Sequence, residues 1–222
     1  MEEYNGGKWT GDVVQVLSNL DLGYNVKVKI ENVSERNGET YTEILPVRID
    51  NDDALLKAEE GRKLSFNGIF NTFDVDGSKS TVIHADPSTV ELAGDKAPYE
   101  NHMKMVGELR SKTCREAYGE KDPWGWCLMQ VAGKIFRAVF FRNVLVRMDR
   151  NATRGSIVQH GGPVRYRDFE TRDGRKGKML EVLSQEDHFD IVRLAEISDP
   201  VAQYTPFNPD AEPEKKKASK KK

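Results

Sequence analysis

Between residues 134 and 178 twelve Lys and Arg stand against four Asp and Glu, with aromatic rings set among them. With no nucleophile–base pair or metal-ligand spacing among them, residues of these two kinds in this pattern read as recognition groups. Guanidinium and ammonium groups hold phosphates, and Trp, Tyr and Phe offer flat faces on which any base can stack. The candidate nucleic-acid contacts are Trp124, Trp126, Arg137, Phe141, Arg142, Arg165, Tyr166, Arg167, Phe169, Arg172, Arg175, Lys176 and Lys178. Any one arginine is more often a solvated surface charge than a contact, so the weight lies on the cluster.

Covalent or metal chemistry finds no comparable pattern. His84, His102, His160 and His188 are scattered, with no HxH or HExxH spacing. Residues 50–53 (DNDD) and 74–77 (DVDG) lack the full ligand series of a cation loop and read as a helix start and a hairpin turn. There is no phosphate-binding GxxxxGK[ST] loop, no nucleophile elbow, and no carboxylate cluster such as a nuclease would need. The expectation is a protein that is not an enzyme, with no cofactor and no metal. Cys114 and Cys127 have no CxxC or Cys/His partner and are assigned as buried thiols.

The elements that must position the cluster are strands. On an alternating strand over 135–141, Phe136, Ala138 and Phe140 share one side and Arg137, Val139 and Phe141 the other. Arg137 must reach water, which assigns the first set to a core and Phe141 to the open side. Trp124 and Trp126 share a face of the preceding strand, as a stacking pair or as a plug at the end of a barrel. Tyr166 and Phe169 are three apart and cannot point the same way on one strand.

Further upstream, residues 11–17 and 24–33 read as strands, the second with Val26, Val28 and Ile30 alternating against Lys27, Lys29 and Glu31. A turn at 34–38, a strand over 41–49, a capped helix over 51–60 ended by Gly61, and a hairpin over 64–73 and 81–85 follow. Three strands, a helix and a hairpin is the order of the OB-fold, a five-stranded partly open barrel. The order recurs from Asn101, with strands over 103–109, 124–131 and 135–141, a connector over 143–153 and a hairpin beginning at Gly155. In each copy two glycines stand seven apart ahead of an Asp-Gly turn: Gly61 and Gly68, then Gly155 and Gly162.

The expected fold class is therefore all-β with short helices: two OB-fold domains in tandem, 8–95 (acidic) and 101–197, joined by a linker at 93–100, with a Pro- and Lys-rich tail over 199–222 that is expected to be disordered. The chain has 222 residues, 37% hydrophobic and 32% charged, and its net charge of −2 hides an asymmetry. Residues 1–100 hold 10 Lys and Arg against 19 Asp and Glu; residues 101–200 hold 18 against 14; residues 201–222 hold 6 against 3. A polyanion partner accordingly belongs to the second half. With no apolar run of about 18 residues and a polar N-terminus, a cytoplasmic protein without a membrane partner is expected.

From Arg137 to Phe141, then through Arg154-Gly155-Ser156, Gly162, Arg165-x-Arg167, Phe169 and the Asp173-Gly174 tip, residues 101–193 resemble the single-stranded DNA-binding protein family of bacteria and phages. The strand around Gly107 is similar to that family's first. The resemblance implies that Phe141 and Phe169 stack bases and that Arg137, Arg165 and Arg167 line the strand as cations. Ile135 replaces an aromatic of the family, a place Trp124 and Trp126 could fill. The family's acidic C-terminal tip is replaced by lysines. Also implied are an SSB-type role in DNA replication, recombination or repair, binding without strong sequence preference, and a homo-oligomer, as a dimer presenting four OB-folds. Replication proteins are further possible partners. Two rival expectations stand beside this one: an OB-type interaction factor of the replisome or primosome, and an RNA-binding OB protein, because stacking does not report the sugar.

Overall fold

The computed structural model describes residues 2–34, 38–75, 78–115, 123–170 and 176–195. In the first half β1 (Tyr4–Val16), β2 (Val26–Val33), β3 (Thr40–Arg48), β4 (Lys63–Val75) and β5 (Ser78–Ala85) pair in a ring. β1 joins β2, β2 joins β3, β3 joins β5 in parallel, β5 joins β4, and β4 returns to β1. The ring is the closed five-stranded barrel of the OB-fold. On β2 the alternation does what it predicts: Val26, Val28 and Ile30 are wholly buried while Lys27 and Lys29 lean to solvent.

Two expectations for this half need correction. β1 begins at Tyr4, well before residue 11, because Trp9 is wholly buried, stacked on Phe66 at 5.8 Å between ring centres. The glycines and lysine around it hid a core strand. The helix expected over 51–60 is only α1 (Asp52–Leu55), capped by the Asn51 side chain on the Ala54 N–H at 2.9 Å. Beyond it the bonds Lys57 N–H to Ala54 and Ala58 N–H to Leu55 tighten to three-residue turns, so that Gly61 can reach back to the Val13 carbonyl at 2.8 Å.

The short β6 (Glu91–Leu92) pairs with β4 and ends the first half; the second contributes β7 (Glu100–Arg115), β8 (Trp124–Val131), β9 (Lys134–Phe141), α2 (Arg142–Asn151), β10 (Ile157–Gly162), β11 (Val164–Glu170), β12 (Lys176–Leu183) and β13 (Asp190–Arg193). The pairing order returns: β7 with β8, β8 with β9, β9 with β12 in parallel, β12 with β11, and β10 with β7. β10 and β11 are one path bent at Gly162 and Pro163. The connector expected over 143–153 is mostly helix, since Val144, Leu145 and Met148 give α2 a buried stripe.

Irregular features repeat as well as regular ones. The β1–β2 register slips between Val13 and Gln15, and the β7–β8 register slips between Leu109 and Ser111. Gly61 and Gly155 both have positive φ, 83° and 90°, and donate to Val13 and Leu109 at 2.8 Å each. Gly68 pairs with Gly7, as Gly162 pairs with Met103. The seven-residue spacing marks the same bend in both halves.

The halves are not beads on a linker. β1 pairs with β7 from Tyr4 opposite Val106 to Thr10 opposite Glu100, so Glu100 is already in a strand and β6 occupies 91–92. Phe70 and Phe136 meet across the junction at 5.9 Å, and one continuous core spans both halves. The turns expected around 35–37, 76–77 and 172–175 and the tail expected over 199–222 lie outside the described residues. No described helix is long and apolar enough to cross a membrane.

Candidate nucleic-acid interface

The side assignment on β9 holds. Phe136, Ala138 and Phe140 are buried, whereas Phe141 is 38% exposed and Arg137 keeps 15% of its side chain in solvent. Val139, on the same side as Arg137, is nonetheless buried. Left-handed backbone frames this strand at both ends. Ala132 (φ 48°) and Gly133 (φ 75°) form the two-residue turn that starts it, and Arg142 (φ 46°) swings the chain into α2 just after Phe141.

Register builds the rest of the face. Trp124 lies opposite Phe141 and Trp126 opposite Val139, so both indoles share the side of Arg137. The Arg137 guanidinium sits 4.7 Å from the centre of the Trp126 ring, and Arg115, across from Trp124, sits 5.3 Å from that ring. On the other flank Arg137 faces Glu181 of β12, which faces Arg165 of β11, with Arg167 one step along opposite Met179. Trp124, Trp126, Phe141, Arg137, Arg165 and Arg167 are thereby brought together on one curved side of the second barrel.

Electrostatics concentrate at Glu181. Its carboxylate is wholly buried and is approached by three guanidiniums: Arg165 Nε at 3.0 Å with a second contact from its Nη2, Arg137 Nε at 3.2 Å and Arg167 Nη1 at 3.8 Å. Burial lowers the Arg137 pKa, Glu181 opposes that, and Arg167 and Arg165 add to it. From the first half, Glu43 accepts the Tyr166 N–H at 3.3 Å; burial raises its pKa while that N–H and Arg165 hold it down.

Other predicted contacts are placed elsewhere. Tyr166 lies on the far side of the hairpin, packed on the core, with the Lys178 ammonium 5.6 Å from its ring and burial raising its pKa to about 12. Lys178 pairs with Asp168 at 3.5 Å. Arg142 is exposed at the head of α2. Phe169 and Lys176 are placed by backbone only, opposite Gly177 and Glu170, and Arg172 and Arg175 fall outside the described residues. Cys127 is buried as expected and its thiol is pushed up to about 12; Cys114 is half-buried, on the edge of the core, a correction to its assignment.

Glu181 and Arg115 escaped the sequence reading. An acidic residue inside the apolar run Met179 to Leu183 was the available signal for the first. Arg115 carried none. Also unanticipated is a smaller cluster in the first half. There Arg48 lies 4.0 Å from the Phe73 ring centre and 2.6 Å from Asp50, which in turn meets His84 at 3.0 Å. Among the described residues no three His, Cys, Asp or Glu are grouped to hold a metal ion.

Solved structures share this architecture. The wild-type single-stranded DNA binding protein from Thermus aquaticus superimposes with a TM-score of 0.66, at 11% identity, over 88% of this chain and 95% of that one. A deletion variant of the same Thermus protein gives 0.66 at 12% identity, over 90% and 98%. The shared feature is the fold. No family model and no curated protein matches the chain. At that level of identity the alignment transfers no individual residue, and the face of Trp124, Trp126, Phe141 and the arginines stands on its own geometry.

Proposed function

We propose that this chain binds single-stranded DNA without strong sequence preference, by electrostatic capture on the arginines followed by stacking of bases on Trp124, Trp126 and Phe141. The observation that carries this reading is the Trp126–Arg137 pair. A partly exposed indole with a guanidinium 4.7 Å from its centre, beside an exposed Phe141, offers a base both a face and a neighbouring cation. The proteins of the same fold from Thermus aquaticus are described as single-stranded DNA binding. We assign two OB units, 8–95 and 101–197, to the two pairing rings, the acidic one serving a dimer contact or a partner protein. DNA replication, recombination and repair are the settings in which such binding is used.

Titration with oligo-dT, oligo-rU and duplex DNA across a salt series tests it, with tryptophan emission as the readout. Trp9 is wholly buried against Phe66 and supplies a constant background; Trp124 and Trp126 supply the change. Strong, length-dependent quenching by oligo-dT that survives about 0.2 M salt and exceeds duplex binding supports the reading, given how steeply purely ionic contacts weaken with salt. Equal binding of duplex, or loss at that salt, favours a protein-interaction module instead, and preference for oligo-rU reassigns the substrate to RNA.

A further inference from the structure

Three buried polar side-chain atoms gather at one point of the second barrel: Arg137 Nε and Glu181 Oε2, ion-paired at 3.2 Å without hydrogen-bond geometry, and Arg167 Nε, which has no hydrogen-bond partner. The carboxylate therefore leaves the buried donors around it incompletely satisfied, which marks the cluster as one organised under charge rather than by packing alone. The cluster is also overcharged, with three guanidiniums on one carboxylate and the half-buried Glu43 in electrostatic reach of Arg165. Glu181 itself is 0% exposed, so no incoming group can reach it, whereas Arg165 and Arg167 keep 33% and 35% of their side chains in solvent.

Each guanidinium has five N–H donors in a rigid plane and cannot satisfy them all on a carboxylate that it shares with two others. The carboxylate draws the three guanidiniums to one point; Arg137 gives a further donor to the Met179 sulfur at 3.7 Å, while Arg165 and Arg167 keep part of their side chains in solvent. We propose that Glu181 is a positioning residue that fans Arg137, Arg165 and Arg167 into a seat for one phosphate oxyanion beside the stacking face. Taken as part of the proposed function, the phosphate is that of the single strand whose base lies on Trp126. Without Glu181 three like charges in contact repel and splay, and the seat is lost although the face becomes more positive.

Sign distinguishes this from simple charge screening. Oligo-dT affinity is measured for the wild type and Glu181→Gln over a salt series, with thermal melts to confirm folding. Positioning requires Glu181→Gln to bind more weakly, by roughly tenfold for the loss of one charge-assisted contact, with the salt slope shallower by about 0.7. Tighter binding with an equal or steeper slope means that Glu181 merely screens the face and overturns the proposal. If Glu181→Gln fails to fold, Arg167→Lys decides, because it keeps the charge and removes the fork: weaker binding supports the seat, unchanged binding overturns it. If the wild type binds no single strand at all, the proposed function falls and the seat is judged separately. In that case inorganic phosphate is titrated while the Nε–H signals of Arg137 and Arg167 are followed by NMR. Shifts in the wild type that are absent from Glu181→Gln sustain the seat, and no shift overturns it.

Discussion

Arg137 and Trp126 are locked together across β8 and β9, the guanidinium 4.7 Å from the ring centre and only 15% of the arginine side chain in solvent. Trp126 is outside the barrel, so its removal takes away a platform and leaves the core intact. Trp126→Leu is expected to weaken oligo-dT binding by about 5- to 150-fold, the 1–3 kcal/mol of one stacked base, with little change in Tm. Fluorescence anisotropy of a labelled oligonucleotide measures this, and an unchanged Kd would exclude Trp126 from the site.

The bend at Gly162 has less tolerance than the turn at Gly61. Gly162 has φ of 151°, and a Cβ there would run into the Leu183 carbonyl; Gly61 has φ of 83° with nothing within 4 Å of such a Cβ. Gly61→Ala should cost only the left-handed penalty, about 1–2 kcal/mol and about 2–8 °C in Tm. Gly162→Ala adds a backbone collision and should cost at least twice as much. Equal melting shifts would contradict the close approach.

Those two glycines also show what was legible in the sequence. Their partners seven residues away, Gly68 and Gly155, took the same stations in the other ring because a strand that leaves a positive-φ corner and then bends needs glycine twice. Period-two alternation fixed the sides of β2 and β9 correctly for a related reason: each has one wet face. Trp9 was illegible because its strand pairs on both edges, with β4 and β7, and is flanked by glycines that carry no alternation. The face was half legible. Arg137, Phe141 and the two indoles could be placed by parity, but Tyr166 belongs to the opposite parity from Arg165 and Arg167, and the organising Glu181 reads as one acid in an apolar run.

Ala132 occupies a conformation that suits Asn or Gly. With φ of 48° at Ala132 and 75° at Gly133, the turn between Val131 and Lys134 has the backbone of an Asn-Gly hairpin, and the Ala132 side chain is exposed. Ala132→Asn keeps the backbone N–H that meets Glu3 and relieves the left-handed strain. A gain of about 0.5–1 kcal/mol in urea denaturation is expected. A loss would mean that the turn changes shape when its residue does.

His160 provides an acid-sensitive element inside the second barrel. It is wholly buried between Phe140 and Phe189, with Nδ1 2.8 Å from Ser184 Oγ and Nε2 3.5 Å from Cys127 Sγ. Burial pushes its pKa from 6.5 down to about 3, so the folded protein holds it neutral where the unfolded chain would take up a proton. The stability contributed by the neutral imidazole is therefore complete above about pH 6.5 and is lost progressively as pH falls toward 3. Over that window the loss is on the order of 4 kcal/mol at 1.36 kcal/mol per unit. Carboxylates titrate in the same range, so the comparison is with His160→Leu, measured by urea midpoints at pH 7 and pH 4. The variant should be less stable at pH 7, where Ser184 loses its partner, yet should lose less on acidification than the wild type. Parallel losses in the two proteins would show that the imidazole is reached by protons without unfolding the barrel.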